Sequence, residues 1–129
     1  MWDKNQLDRI VQADDLHIAP FRDDGKTPGT PTWIWCVQVD GELYVRGFNG
    51  TASRWYQAAV KQRAGCILAA GEMLDVVFEP VTGQINESID AAYRAKYIKS
   101  QYLQPMVSER ASAATVRVTP HVVGQGAPL

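Results

Sequence analysis

The chain has 129 residues, enough for one hydrophobic core and too few for two domains. Its thirteen basic residues nearly balance its fourteen acidic residues and are dispersed, which argues against nucleic acid as a partner. It begins without an apolar signal segment and holds no run near the roughly 18 apolar residues of a membrane span. We therefore expect one cytoplasmic domain, residues 1–129, that does not bind a membrane.

Hydrophobic periodicity in the first part of the chain predicts a helix and then three strands. Apolar residues near the N-terminus recur at i, i+3 and i+4, which indicates an amphipathic helix that ends near Asp14. Alternation predicts strands over residues 15–21 and 32–39. Asp40-Gly41 is a strong hairpin signal, so the second strand pairs antiparallel with a third over residues 42–48.

The second part of the chain continues with a helix, a hairpin, a helix and a strand. Ser53 is a suitable N-cap for a helix that Gly65 ends. The hairpin, the second helix with its apolar stripe, and the last strand are predicted over residues 66–70, 73–81, 85–98 and 114–119.

These elements give about six strands and two substantial helices, without the regular strand-helix alternation of a parallel sheet. We therefore predict an α+β fold in which helices flank a small antiparallel β-barrel. The segment 121–129 is expected to form a flexible tail.

A candidate anion site lies where the third strand leads into the next helix. Two arginines there accompany a glycine turn and a helix N-terminus, which are donors suited to phosphate or carboxylate. The alternative is a simple turn in which Gly50 supplies an unusual φ and both arginines form surface ion pairs. Trp55 lies beside the predicted binding residues, which are Arg46, Asn49, Gly50, Thr51, Ser53 and Arg54.

Four aromatic residues are predicted to form one surface on the second and third strands: Trp33, Trp35, Tyr44 and Phe48. This surface suits the stacking of a planar ligand, but large aromatics also fill cores and homodimer interfaces. We predict a homodimer, because a monomer of this size would leave less aromatic surface in water.

The remaining reactive side chains indicate no familiar catalytic apparatus. Cys36 and Cys66 lie in apolar segments, and we predict that both are buried, reduced thiols. His17 lacks the additional ligands that zinc needs, so no metal is predicted. No nucleophile elbow, Walker loop or cysteine-histidine pair is recognisable, and the catalytic residues are therefore unassigned.

Six segments of the chain carry a family resemblance that covers nearly its whole length: residues 13–22, 30–35, 44–50, 53–56, 92–97 and 114–120. They resemble the uncharacterised bacterial family filed as domain of unknown function 2255. More remotely, the order of elements is similar to that of the split-barrel flavin-binding proteins, in particular the deazaflavin-dependent nitroreductases.

The remote similarity implies a split barrel that binds FMN or deazaflavin F420 and transfers hydride to a small molecule. It places the cofactor phosphate near Arg46 and the turn 49–54, and the rings near Trp33 or Trp35. Where those proteins carry a Gly-Arg-x-Ser/Thr-Gly segment, this chain has Gly25-Lys26-Thr27-Pro28-Gly29, which lacks the arginine. The second hypothesis is a non-catalytic ligand-binding or interaction module that has lost the cofactor.

Overall fold

The structure is a computed structural model that describes residues 2–121. The helices in this range are α1 (Lys4–Ala13), α2 (Arg54–Gln62), α3 (Ile85–Lys96), α4 (Leu103–Met106) and α5 (Glu109–Ser112). The strands are β1 (His17–Pro20), β2 (Thr32–Trp33), β3 (Cys36–Val39), β4 (Glu42–Arg46), β5 (Ala64–Ala69), β6 (Glu72–Pro80) and β7 (Thr115–Pro120). The predicted α+β class is confirmed.

All seven strands belong to one antiparallel sheet with the order β2-β1-β5-β6-β7-β4-β3. β2 and β3 form its opposite edges, although only Ile34 and Trp35 separate them along the chain. A link this short spans on the order of 10 Å. The sheet therefore curls until its two edges approach each other, which confirms the predicted split barrel.

The predicted strand over residues 32–39 is divided into two strands. Thr32–Trp33 pairs with β1, and Cys36–Val39 pairs with β4. The segment thus crosses from one sheet edge to the other and supplies a seventh strand where about six are predicted. Alternation indicates extended backbone, but it does not reveal that the pairing partner changes midway.

The interior of the half-barrel holds the larger hydrophobic core, and α1 closes it with Leu7 and Ile10. Trp2 joins this core, and its Nε1 donates to the backbone oxygen of Val118 at 2.7 Å. The sheet contributes apolar side chains that point inward, among them Ile18, Cys36, Leu43, Val45, Ile67, Phe78 and Val116.

A second core lies between α3 and the outer face of the sheet. Ile89 and Tyr93 of α3, with its C-cap residue Tyr97, pack with Val37 and Tyr44. Val37 and Tyr44 are directly opposite one another on β3 and β4. The period-four stripe of this helix therefore packs on the barrel, as predicted.

Two short helices, α4 and α5, are not predicted from the sequence, because four residues give too few positions to reveal a helical period. The predicted flexible tail over residues 121–129 lies outside the described residues except for His121, whose N–H donates to the oxygen of Asp75 at 2.9 Å. Within residues 2–121, no helix has both the length and the apolar character required to cross a membrane.

Candidate functional site

A cavity of about 420 Å³ opens beside the junction of β4 and α2, a volume typical of small-molecule sites. Its wall comes from three segments distant in sequence: the link between β2 and β3, the β4–α2 junction, and the residues around α4. Six of the eight predicted binding residues line it, namely Trp33, Trp35, Arg46, Asn49, Ser53 and Arg54. Trp55 lines it as well. That these residues bind a cofactor stays a prediction.

The other two predicted binding residues, Gly50 and Thr51, do not line the cavity and lie in a 3-10 turn that precedes α2. Gly50 has a φ of +66°, and an added Cβ would lie 2.5 Å from Cγ of Arg110 in α5. This glycine therefore permits both an unusual backbone conformation and a close approach to α5. Thr51 is exposed.

The N-terminus of α2 contributes its cap residue and first turn to the cavity wall. Ser53 stands at the predicted N-cap position, but its side chain makes no capping hydrogen bond. Ser53 is 9% exposed, and its hydroxyl has no partner among residues 2–121. The helix N–H groups and this hydroxyl together form a donor set suited to an anion.

Arg54 is the first residue of α2 and is exposed beside the cavity. It forms no ion pair with any carboxylate in the described part of the chain. A cation at the positive end of a helix is unfavourable unless an anion compensates it. Arg54 therefore adds unneutralised charge at the place where the helix donors are free.

Arg46 lines the same cavity, but unlike Arg54 its side chain is fully buried and forms an ion pair with Asp90. Nε donates to Thr115 Oγ1 at 3.0 Å, and Nη1 donates to the oxygen of Met106 at 3.1 Å. Nη2 donates to Asn86 Oδ1 at 2.9 Å. Of the alternatives that the sequence leaves open, Arg46 thus forms an ion pair, although a buried one, and Arg54 forms none with the residues from 2 to 121.

The predicted aromatic surface is divided between the cavity and the second core. Trp33 is 54% exposed in the cavity wall, and Phe48 lies edge-to-face with Tyr102 at 6.3 Å between ring centroids. Trp35 lines the cavity and stacks on Tyr97. Tyr44 is instead covered by α3, because the helix packs on that part of the sheet.

Sequence reasoning misses the residues that α4 and α5 bring to the site. Tyr102 and Met106 line the cavity, and the Arg110 guanidinium lies 5.9 Å from the centroid of the Phe48 ring. These residues follow no repeating pattern. The one available signal is an aromatic residue in a polar turn, Ser100–Gln101–Tyr102.

The other reactive side chains stand apart from this cavity. Cys36 and Cys66 are buried free thiols, as predicted, and burial raises the pKa of the Cys36 thiol to about 11. The ring Nδ1 of His17 lies 2.9 Å from the oxygen of Asp15. Among residues 2–121, histidine, cysteine and carboxylate side chains form no group of three suited to a metal ion. The expectation that no metal is bound stays a prediction.

Comparison with known proteins gives the family and the fold. No curated protein matches the chain. The fold is similar to the crystal structure of a conserved hypothetical protein, Rv2991, from Mycobacterium tuberculosis, with a TM-score of 0.60 and 16% sequence identity over 100% of this chain and 91% of that chain. The model of the family described as "Uncharacterized protein conserved in bacteria (DUF2255)" matches residues 6–118. The chain therefore belongs to the DUF2255 family, as its sequence segments indicate.

Proposed function

We propose that this protein binds a planar small molecule with an anionic group in the cavity beside α2. One observation carries the proposal: three donors line one cavity, namely the N-terminus of α2 without a side-chain cap, the Ser53 hydroxyl, and Arg54, which forms no ion pair within residues 2–121. Each of these groups alone is ordinary. Together they concentrate hydrogen-bond donors and positive charge where no described side chain acts as acceptor or counter-ion.

The aromatic residues of the cavity suit the planar part of the ligand. Trp33 and Trp55 line the cavity, and the Phe48–Tyr102 pair adds two further rings. Aromatic faces stack on planar rings with a preference for offset geometry. A ligand with a ring at one end and a phosphate or carboxylate at the other end matches both the aromatic residues and the donors of this cavity.

The specific ligands that we propose are FMN and deazaflavin F420, each of which joins a planar ring system to phosphate. The residues present fit such a group, because the donors of Ser53, Arg54 and the helix N-terminus suit the phosphate. When bound, a flavin supplies the hydride transfer, so the protein would be an oxidoreductase acting on a small molecule. The chain's own part is to hold the phosphate, stack the rings and exclude water.

Arg46 offers this site neither a free donor nor a free charge, since its N–H groups already donate to protein acceptors and it is paired with Asp90. This observation favours the second candidate function, a non-catalytic ligand-binding or interaction module. Of the two arginines predicted to hold the phosphate, only Arg54 donates to no acceptor in the described part of the chain. In either case we propose that the protein acts in the cytoplasm, where its two thiols stay reduced.

A titration of the purified protein with FMN and with riboflavin tests the proposal, because riboflavin carries the same ring without the phosphate. The wild type should bind FMN more tightly. Loss of a charge-assisted contact is worth about 1.5 to 3 kcal/mol, so Arg54→Ala should weaken FMN binding by roughly ten- to a hundredfold. Riboflavin binding should change little. F420 is titrated in parallel.

Arg9→Ala is the matched control, because Arg9 is an exposed helical arginine on α1 and does not line the cavity. It should leave both affinities unchanged. If the wild type binds none of the three compounds, the flavin proposal is wrong. Binding without yellow colour or reductase activity in the protein as purified would favour the non-catalytic module.

A further inference from the structure

Asp14 does not line the cavity, but it is connected to Trp33 and Trp35, the two tryptophans that line it from β2 and the β2–β3 link. The indole Nε1–H of Trp33 donates to the backbone oxygen of Asp14 at 3.1 Å. The Asp14 carboxylate accepts a hydrogen bond from the Tyr97 hydroxyl at 2.5 Å. The Tyr97 ring in turn stacks on Trp35, with 3.9 Å between centroids and 6° between planes. Asp14 is thus connected to Trp33 through its backbone oxygen and to Trp35 through its carboxylate and the Tyr97 ring.

Lys96 strengthens the same junction. Its Nζ lies 3.4 Å from the Asp14 carboxylate and 4.9 Å from the centroid of the Tyr97 ring. It also donates to the backbone oxygen of Cys36 at 2.6 Å. The carboxylate therefore has an ammonium partner in the last residue of α3 and a hydroxyl donor in its C-cap residue, Tyr97. These contacts hold the end of α1 against α3.

The backbone of Asp14 supports a role for its side chain. Asp14 is the C-cap of α1 and has a left-handed backbone conformation, with a φ of 51°. Glycine adopts this conformation at helix ends with the least strain. An aspartate at this position is explained by what its carboxylate contacts, not by what the helix end requires.

We propose that Asp14 is a positioning residue that fixes the orientation of Trp33 and Trp35 for stacking on a ligand. This role deepens the proposed function and rests on it only for the identity of the ligand. The orientation of the two indoles is a property of the free protein. Ligand affinity should therefore depend on a residue that does not line the cavity.

The indole N–H signals of the four tryptophans, assigned by single Trp→Phe variants, test the proposal without any ligand. Asp14→Gly removes the carboxylate, and glycine readily adopts the left-handed backbone conformation of this position. The Trp33 and Trp35 signals should shift. Glycine retains the backbone oxygen that accepts the Trp33 N–H, but this oxygen is no longer held in place by the Tyr97 and Lys96 contacts of the carboxylate. Exchange of the Trp33 N–H with solvent should therefore accelerate by about fivefold. The Trp2 signal, from an indole bonded to Val118, should stay in place.

Asp40→Gly is the matched control, because Asp40 has nearly the same φ, 53°, in the β3–β4 turn and does not line the cavity. All four signals should be unchanged in this variant. Tyr97→Phe is the milder test and keeps the ring stacked on Trp35. If the connection runs through Asp14, the Trp33 signal should shift here too, although the Tyr97 hydroxyl does not touch Trp33.

An unchanged Trp33 signal in both Asp14→Gly and Tyr97→Phe would overturn the proposal, as would equal shifts in Asp40→Gly. If Asp14→Gly does not fold, Tyr97→Phe decides alone. FMN affinity should fall by about fivefold in Tyr97→Phe. If the indole signals shift as expected while the wild type binds no flavin, the positioning role stands and the proposed ligand is wrong.

Discussion

Arg46 shows how one charged residue serves the fold and the site together. It connects β4 to α3, α4 and β7 through Asp90, Met106 and Thr115, and its side chain is excluded from solvent. Arg46→Met would leave the Asp90 carboxylate and the Met106 oxygen without their donors. Removal of one partner from a buried pair costs about 3 to 5 kcal/mol, so we expect a loss of that order in the free energy of unfolding. Urea denaturation measures it.

Lys61→Met is the control for this prediction, because the Lys61–Asp23 pair is exposed on both sides and solvent screens it. Lys61→Met should lower the free energy of unfolding much less than Arg46→Met does. Equal effects of the two substitutions would show that the Arg46 network is not what holds α3 to the barrel.

The two thiols provide a second prediction for single residues. Burial raises the pKa of Cys36 to about 11 and also raises that of Cys66, so both are protonated at pH 8 and should react slowly with thiol reagents. Denaturation should expose two reactive groups. Because the unfolded Cys36 thiol has its ordinary pKa of 9.0, the free energy of unfolding should fall as the pH rises from about 9 towards 11. Fewer than two groups in denatured, unreduced protein would indicate a disulfide.

At the scale of elements, the junction of β4 and α2 depends on Gly50. Alanine there would have to adopt a φ of +66° and would also meet Arg110 at 2.5 Å. Gly41→Ala is the matched control, since Gly41 has a φ of +79° and nothing lies within 4 Å of the added carbon. Left-handed backbone alone costs about 1 to 2 kcal/mol, which Gly41→Ala should show by thermal melting.

Gly50→Ala should be clearly more destabilising than Gly41→Ala, because Arg110 and the backbone of α5 must move as well. The start of α2 should move with them, so FMN affinity should fall in Gly50→Ala and stay constant in Gly41→Ala. Equal melting temperatures for the two variants would contradict the close packing of Gly50 on α5.

The elements themselves are largely predictable because their signals are local. Asp40-Gly41 marks the β3–β4 turn, and the stripe of α3 predicts its packing. Ser53 is correctly predicted as a cap residue, but sequence does not reveal that its hydroxyl stays free. The division of strand 32–39 depends on pairing partners far away in sequence, and periodicity carries no such information.

At the scale of the whole molecule, the cavity is a consequence of the curled sheet. Because the sheet edges approach each other, the link at Trp35 lies near the β4–α2 junction, and the segment at Tyr102 completes the wall. The two predicted halves of the site, aromatic and anionic, come together for this topological reason. The third segment is unpredictable, since neither its helices nor its position follow from a local pattern.

The curled sheet also leaves an apolar strip on the outside that continues the cavity mouth. Trp33, His17, Leu68 and Met73 are direct cross-strand partners, in that order, on β2, β1, β5 and β6, so their side chains share one face. Trp33 is 54% exposed and Met73 is 68% exposed. With Phe48 and Tyr102 at the mouth, this amount of exposed apolar surface is typical of an interface.

We therefore expect a homodimer that buries this strip, with a mass in light scattering of twice 14.3 kDa at micromolar concentration. Met73→Lys should convert it to a monomer, because a lysine in the centre of an apolar interface must be desolvated without a partner. Thr82→Lys adds the same charge at an exposed position on the β6–α3 link and should leave the dimer intact. The melting temperature should become independent of concentration only in Met73→Lys, since binding between subunits stabilises by mass action. A monomeric wild type would refute the dimer, and the exposed rings at the mouth would then have to be covered by the ligand alone.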